Sequence, residues 1–180
     1  MAVQIGAKPD SGFDDPLGML ADCHRRIERF LGILCLVAQK AQGCALSGDE
    51  RDAVEAALGY FREAGPRHNR DEEDSVFPRL RGRGADEVLD RVRHLEAEHG
   101  EAGALHDEMA LLYRRWAAEG GLSAADALRL KTIAACLLKV YGEHIRIEEE
   151  VVFPCAARLM VPPELAAIGA EFKARREHGG

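Results

Sequence analysis

The feature that most constrains this chain is an eleven-residue run that occurs twice. His68-Asn69-Arg70-Asp71-Glu72-Glu73-Asp74-Ser75-Val76-Phe77-Pro78 aligns with His144-Ile145-Arg146-Ile147-Glu148-Glu149-Glu150-Val151-Val152-Phe153-Pro154 at an offset of 76, and seven of the eleven positions are identical. In each copy a histidine stands four residues before a glutamate, which puts both side chains on one face of a helix. A fainter pair, Leu20-x-x-x-His24 and Leu95-x-x-x-His99, repeats at an offset of 75. The chain reads as two helical hairpins of one design.

Apolar residues recur at helical spacing almost throughout, and no segment alternates as a half-buried strand does. The spacing predicts a first helix over Pro16–Gln42, started by Asp15, with Leu17, Leu20, Ile27, Leu31 and Leu34 inward. After a loop at 43–48, Ser47 or Asp49 caps a second helix over 49–80, which is expected to bend at Gly65-Pro66. The third helix, 85–119, carries Val92, Leu95, His99, Ala102, His106, Met109, Tyr113 and Trp116 on one stripe. Ser123 caps the fourth, whose stripe is Ile133, Leu137, Val140, Tyr141, His144, Glu148, Val151 and Cys155. Pro162-Pro163 ends it, and residues 164–177 form a short appended helix. The fold class is therefore all-α, an antiparallel up-down-up-down four-helix bundle. It is a single domain over 1–180, with its core at about 17–160, a flexible 1–16 and an extra helix within 163–178.

His24, His68, Glu72, His99, His144 and Glu148 all fall on inward faces. At a rise of about 1.5 Å per residue, the distances from each histidine to its connecting turn agree within about one helical turn, so the four imidazoles share one level. Burying them is costly unless something pairs with them. Four neutral imidazoles and two carboxylates in a bundle core are a metal site: two ions fit if both carboxylates bridge. Mixed histidine and carboxylate ligation with open positions suits iron; manganese or zinc are substitutes.

The combination of a lone His24, the two His-x-x-x-Glu-Glu-x-x-x-Phe-Pro runs and Glu98-His99 resembles the hemerythrin-like, or HHE cation-binding, domain family, over about Leu17 to Met160. That resemblance implies a non-haem di-iron centre, oxo- or hydroxo-bridged, on His24, His68, Glu72, His99, His144 and Glu148. Oxygen carriers of the family have a second histidine four residues along the third helix and a more distant aspartate on the fourth. Here the positions four from His99 are Leu95 and Gly103, so the chain is similar to the four-His, two-Glu branch, with a more open centre. Iron–sulfur repair relatives share the ligand set but add a cysteine-bearing N-terminal extension, and the region before Leu17 has no cysteine.

Other polar residues carry weaker signals. Glu73 and Glu149 read as solvated or supporting the ligands, with Glu149 able to replace Glu148. His106, about 10 Å along the helix from His99, reads as a hydrogen-bonded core histidine rather than a channel or proton-relay group. Tyr141 reads as core packing with a polar tip, beside an alternative role as donor near the centre. His94 is expected to be exposed, and His178 is expected to play no part. Glu96-x-x-His99 matches one ferritin-type element, a class that needs two.

Composition excludes several classes. Lys+Arg 24 against Asp+Glu 31 gives a net charge of −7 over 180 residues, with no basic face for nucleic acid. No apolar run is long enough for a membrane span. Five cysteines, without a C-x-x-C pair, argue against a disulfide framework and point to packed, reduced thiols in the cytoplasm. The expected partner is a small diatomic or peroxide ligand, on a monomer or homodimer. Two uses stay open: binding or sensing O2 or NO, or holding iron as such; and a di-iron enzyme acting on hydrogen peroxide or in stress repair of iron–sulfur centres. A metal-free helical partner-binding bundle is the third and plainest alternative.

Overall fold

A computed structural model of the chain describes residues 10–40 and 44–177. Its helices are α1 (Pro16–Gln39), α2 (Gly48–Asp71), α3 (Phe77–Leu80), α4 (Asp86–Glu119), α5 (Ala124–Ile147), α6 (Phe153–Leu159) and α7 (Pro162–Glu177). Each expected cap forms: Asp15 accepts from the Gly18 N–H at 3.0 Å, Ser47 and Glu50 make a reciprocal capping box, and Ser123 accepts from Asp126. Gly120 ends α4 in the left-handed region at φ 73°, which a residue without a side chain adopts freely. The expected end of the first helix at Gln42, residues 1–9 and His178 lie outside the described residues.

The two Phe-Pro pairs do something that periodicity does not show. A helical proline has no N–H to donate, and its ring crowds the carbonyl four residues back. Here the chain widens into single π-helical turns at Glu72–Val76 and Glu148–Val152, where Phe77 and Phe153 donate back to the Glu72 and Glu148 carbonyls. The second and fourth helices are thus continuous rods with one wide turn each. At Gly65-Pro66, where a bend is expected, α2 stays α-helical through both residues.

Helices α1, α2, α4 and α5 each touch two neighbours in a closed ring, and α7 lies across one end against α1 and α2. The interior is two apolar clusters, not one. The larger holds Leu34, Phe61, Met109, Tyr113, Trp116 and Leu137; the smaller holds Leu20, Phe77, Leu80, Leu95, Phe153 and Phe172. Between them runs a layer of buried polar side chains: His24, His68, Glu72, His144 and Glu148, each at most 4% exposed. Cys35 and Cys155 pack as expected, Cys23 is half-buried, and Cys44 and Cys136 are exposed, so the thiols are less uniformly packed than anticipated. Among the described residues, no single helix is long and apolar enough to cross a membrane.

Residues 10–15 are anchored on this frame. The Ser11 N–H donates to Asp22 at 2.6 Å, and the Arg176 guanidinium lies over Phe13. A β-carbon on Gly169 would meet the Phe13 carbonyl oxygen at 1.8 Å. Gly169→Ala is therefore expected to push this segment off α7 and cost about 1–3 kcal/mol, read as a lowered Tm; an unchanged Tm would show that the segment adds no stability.

Candidate metal centre

The repeat assigns each of its side chains a task. The first glutamate of each Glu-Glu pair turns inward, the second reaches sideways, and the phenylalanine closes the site from below. Glu149 accepts a hydrogen bond at 2.9 Å from Nδ1 of His24, and Glu73 pairs at 2.6 Å with Nδ1 of His99. Phe153 stacks on the His24 ring (5.5 Å, 11°), and Phe77 stacks on the His99 ring (6.5 Å, 8°). A wide turn on one helix thus fixes the imidazole of a neighbouring helix from two directions, and the two halves do so by the same rule.

The inward side chains form two groups of four. His24, His68, Glu72 and Glu148 place ligand-type atoms within 4.8 Å of one another, and so do Glu72, His99, His144 and Glu148. The two carboxylates belong to both groups. Nε2 of His99 and Nε2 of His144 face each other at 3.2 Å, and the His24 and His68 rings lie 5.0 Å apart. All six side chains singled out from the sequence are therefore brought together. Glu149 is turned away to His24 and Arg25 and does not take the place of Glu148.

A cation fits this donor set. Both oxygens of Glu72, both oxygens of Glu148 and Nε2 of His24 are buried and face one another and the neighbouring imidazoles, with Nε2 of His24 at 3.0 Å and Nε2 of His144 at 3.2 Å from Glu148, but none of them is in hydrogen-bond geometry. That many orphaned acceptors in a dry core is costly unless a cation gathers them. Three of the four nitrogens turned away from the centre are already engaged, which sets the tautomer and raises ligand basicity: His24 by Glu149, His99 by Glu73, and His144 by Glu98 at 3.0 Å. Glu98 was assigned no role from the sequence. Its place one residue before His99 was visible, but its reach to α5 depends on how α4 and α5 pack.

Without an ion, the carboxylates titrate as an unlike pair. Burial, then the Glu148 charge, holds the Glu72 carboxyl well above its usual range. Burial also opposes ionisation of Glu148, but the adjoining His144 and His24 imidazoles outweigh it and hold that carboxyl well below the usual range. Burial lowers His68 and His99, keeping them neutral and able to ligate. For His144, burial is outweighed by the Glu148 and Glu98 carboxylates, which raise it.

The helix across the end of the bundle supports the first wide turn. Asp71, 1% exposed and next to Glu72, is gripped by Arg175 and Arg176 of α7 at 2.7 Å each, and Arg175 also reaches the Ser75 hydroxyl at 2.5 Å. A cavity of about 320 Å³ opens between α2 and α4; His99, Gly65, Gly103, His106 and Tyr141 are among its walls. His106 shares a 3.1 Å hydrogen bond with Tyr141 and stacks on Phe61 at 4.0 Å. It is the hydrogen-bonded histidine expected, on the wall of a cavity rather than in closed core. His94 is exposed as expected and pairs with Glu98 at 3.3 Å.

The sequence model of the hemerythrin HHE cation-binding domain matches residues 15–156, and the chain belongs to that family. No curated protein matches it significantly. With the buried groups above, this makes the chain a metal-binding four-helix bundle.

The Glu72 titration gives a signed test on metal-free protein. A carboxyl raised in the folded state stabilises fully below its unfolded value, about 4.5, and that stability is lost as pH rises through the folded value. Glu72→Gln is permanently neutral, so chelator-treated variant should gain about 1–3 kcal/mol over wild type from pH 5 to pH 8. Thermal unfolding across that range reads it, and a difference that does not change with pH would refute the assignment.

Proposed function

We propose that this protein holds two iron ions, one between His24 and His68 and the other between His99 and His144, with Glu72 and Glu148 bridging both. The observation that carries the reading is the sharing of both carboxylates by the two four-residue groups. Nitrogen and carboxylate donors without a thiolate suit iron over softer metals, with manganese or zinc as weaker substitutes. When bound, the ions would supply reversible redox chemistry and open positions for a small ligand. The five cysteines include no disulfide among the described residues, which fits a reducing compartment such as the cytoplasm.

The residues around the centre support a small ligand as its working partner, O2 or NO, which the protein binds or senses. Neither Leu95 nor Gly103, the two positions four residues from His99, supplies the further histidine that the oxygen carriers of the family have, and Gly103 stands one helical turn from His99. A β-carbon there would meet nothing within 4 Å, so the cavity reaches the His99 wall unobstructed. A second reading, turnover of hydrogen peroxide, is favoured by the His106–Tyr141 pair. Burial lowers His106 to about 4 and raises Tyr141, so both are uncharged at neutral pH and their 3.1 Å hydrogen bond offers a neutral donor–acceptor chain on the cavity wall.

Metal analysis after anaerobic purification is expected to give about two irons per chain, with an oxo-bridged ferric absorption on exposure to air. Because each glutamate serves both ions, Glu72→Ala or Glu148→Ala should empty both positions, whereas His24→Ala or His99→Ala should first lose one. Full iron content in both glutamate variants would overturn the bridging assignment. Gly103→Leu should slow ligand uptake without changing iron content. Tyr141→Phe separates the two uses: it leaves O2 or NO binding intact but lowers peroxide turnover about 10²–10⁴-fold if the pair relays a proton.

A further inference from the structure

Three of the four inward histidines hand their outer nitrogen to a carboxylate, and His68 does not. Its Nε2 stands 3.4 Å from Oε1 of Glu72, so Nδ1 lies on the ring edge turned from the glutamates, and there it is buried without a partner. The internal repeat shows why. His68 corresponds to His144, whose Nδ1 is held by Glu98. Glu98 immediately precedes His99, and the offset of 75 that carries His99 onto His24 carries Glu98 onto Cys23. The half of the bundle that should supply the fourth carboxylate has a thiol there instead. That thiol is hydrogen-bonded to Tyr60 at 3.1 Å.

The missing side chain leaves space. A cavity of about 380 Å³ lies against this wall, with Cys23, His68 and Arg67 in its lining and Met19, Leu20 and Ala64 as apolar surface. Its charged walls are mostly neutralised: Arg26 holds Asp10 at 2.7 Å, and Arg175 and Arg176 hold Asp71. Arg67 has no such partner among the described residues. One uncompensated guanidinium, one unpartnered imidazole and an apolar flank are what a small organic carboxylate requires.

We propose that this cavity is a binding site for a small organic carboxylate, which pairs with Arg67 and accepts from Nδ1 of His68 in the place that Glu98 occupies for His144. The ligand completes the fourth histidine from outside and so couples its own concentration to the hold on the ion beside His68. It rests on the metal reading only for that coupling; the cavity, Arg67 and the orphaned nitrogen exist without an ion. Partners of ligating histidines change metal affinity by about 10–100-fold, and by reciprocity the ion must tighten carboxylate binding by the same factor.

The test is calorimetric titration of the full chain, chelator-treated and iron-loaded, with acetate, butyrate, hexanoate and benzoate, and with butyramide as the uncharged control. The expected result is carboxylate binding to both forms, about 10–100-fold tighter when iron is present, with none for butyramide. Arg67→Met should weaken binding at least about tenfold. Cys23→Glu, folded by circular dichroism, should abolish carboxylate binding and slow iron loss to a chelator, because the chain then supplies its own acceptor. Carboxylate binding that survives both variants, or that appears only with iron and persists in Cys23→Glu, would mean coordination at the metal and would overturn the proposal. So would the absence of binding to either form. Carboxylate binding to a chain that takes up no iron would instead remove the metal reading and leave the cavity site standing.

Discussion

A band of imidazole and carboxylate runs through the middle of this bundle, and the rest of the structure is arranged to make it tolerable. Glu72 and Glu148, fully buried, would each lose several kcal/mol of hydration with nothing but apolar neighbours. The chain does not dilute them with water-accessible surface. It seals them between two apolar clusters, so that the polar layer is a septum with dry packing on both sides. Such a layer is stable only when its charges are answered, by protons and hydrogen bonds in the metal-free state and by cations in the loaded one. The same low dielectric that makes the layer costly strengthens each interaction within it.

How the layer is held follows from duplication. One half of the bundle supplies a wide turn whose first glutamate faces inward, whose second orients a histidine on another helix, and whose phenylalanine stacks on that ring. The other half returns the arrangement, so each hairpin orders a ligand of its partner and the centre exists only when the two are packed together. Proline is central to this. By withholding one N–H at Pro78 and at Pro154 it favours the π-helical widening that sets the two glutamates of each pair to different tasks. Near-symmetry also shows where the halves differ. Glu98 on one side answers to Cys23 on the other, and α7 clamps only the first wide turn, through Asp71.

Much of this was legible in the residues because metal chemistry and helical geometry are both demanding. His-x-x-x-Glu places two donors on one face whatever surrounds it, and two such faces, with His24 and His99 on the other two helices, have one interior to share. The caps at Asp15, Ser47 and Ser123 act within four residues, so local chemistry was enough. The roles of Glu73 and Glu149 were half visible: adjacency to an inward glutamate suggested support, but which histidine each supports lies on another helix. The π-helical turns left no mark on apolar periodicity, since Phe77 and Phe153 stay buried either way.

The amino-acid sequence by itself determined the helices, their antiparallel order and the six side chains that meet inside, because each depends on spacing along one chain. Only the tertiary structure decided that both glutamates belong to both histidine pairs and that Glu98 reaches across to α5. It also decided that His106 and Tyr141 share a cavity wall, and that among the described residues His68 is the one inward histidine whose outer nitrogen has no partner. The physical reason is range. Helical periodicity fixes the direction of a side chain to within a face, whereas hydrogen bonds and metal ligation require positions good to a few tenths of an ångström between helices far apart in the chain.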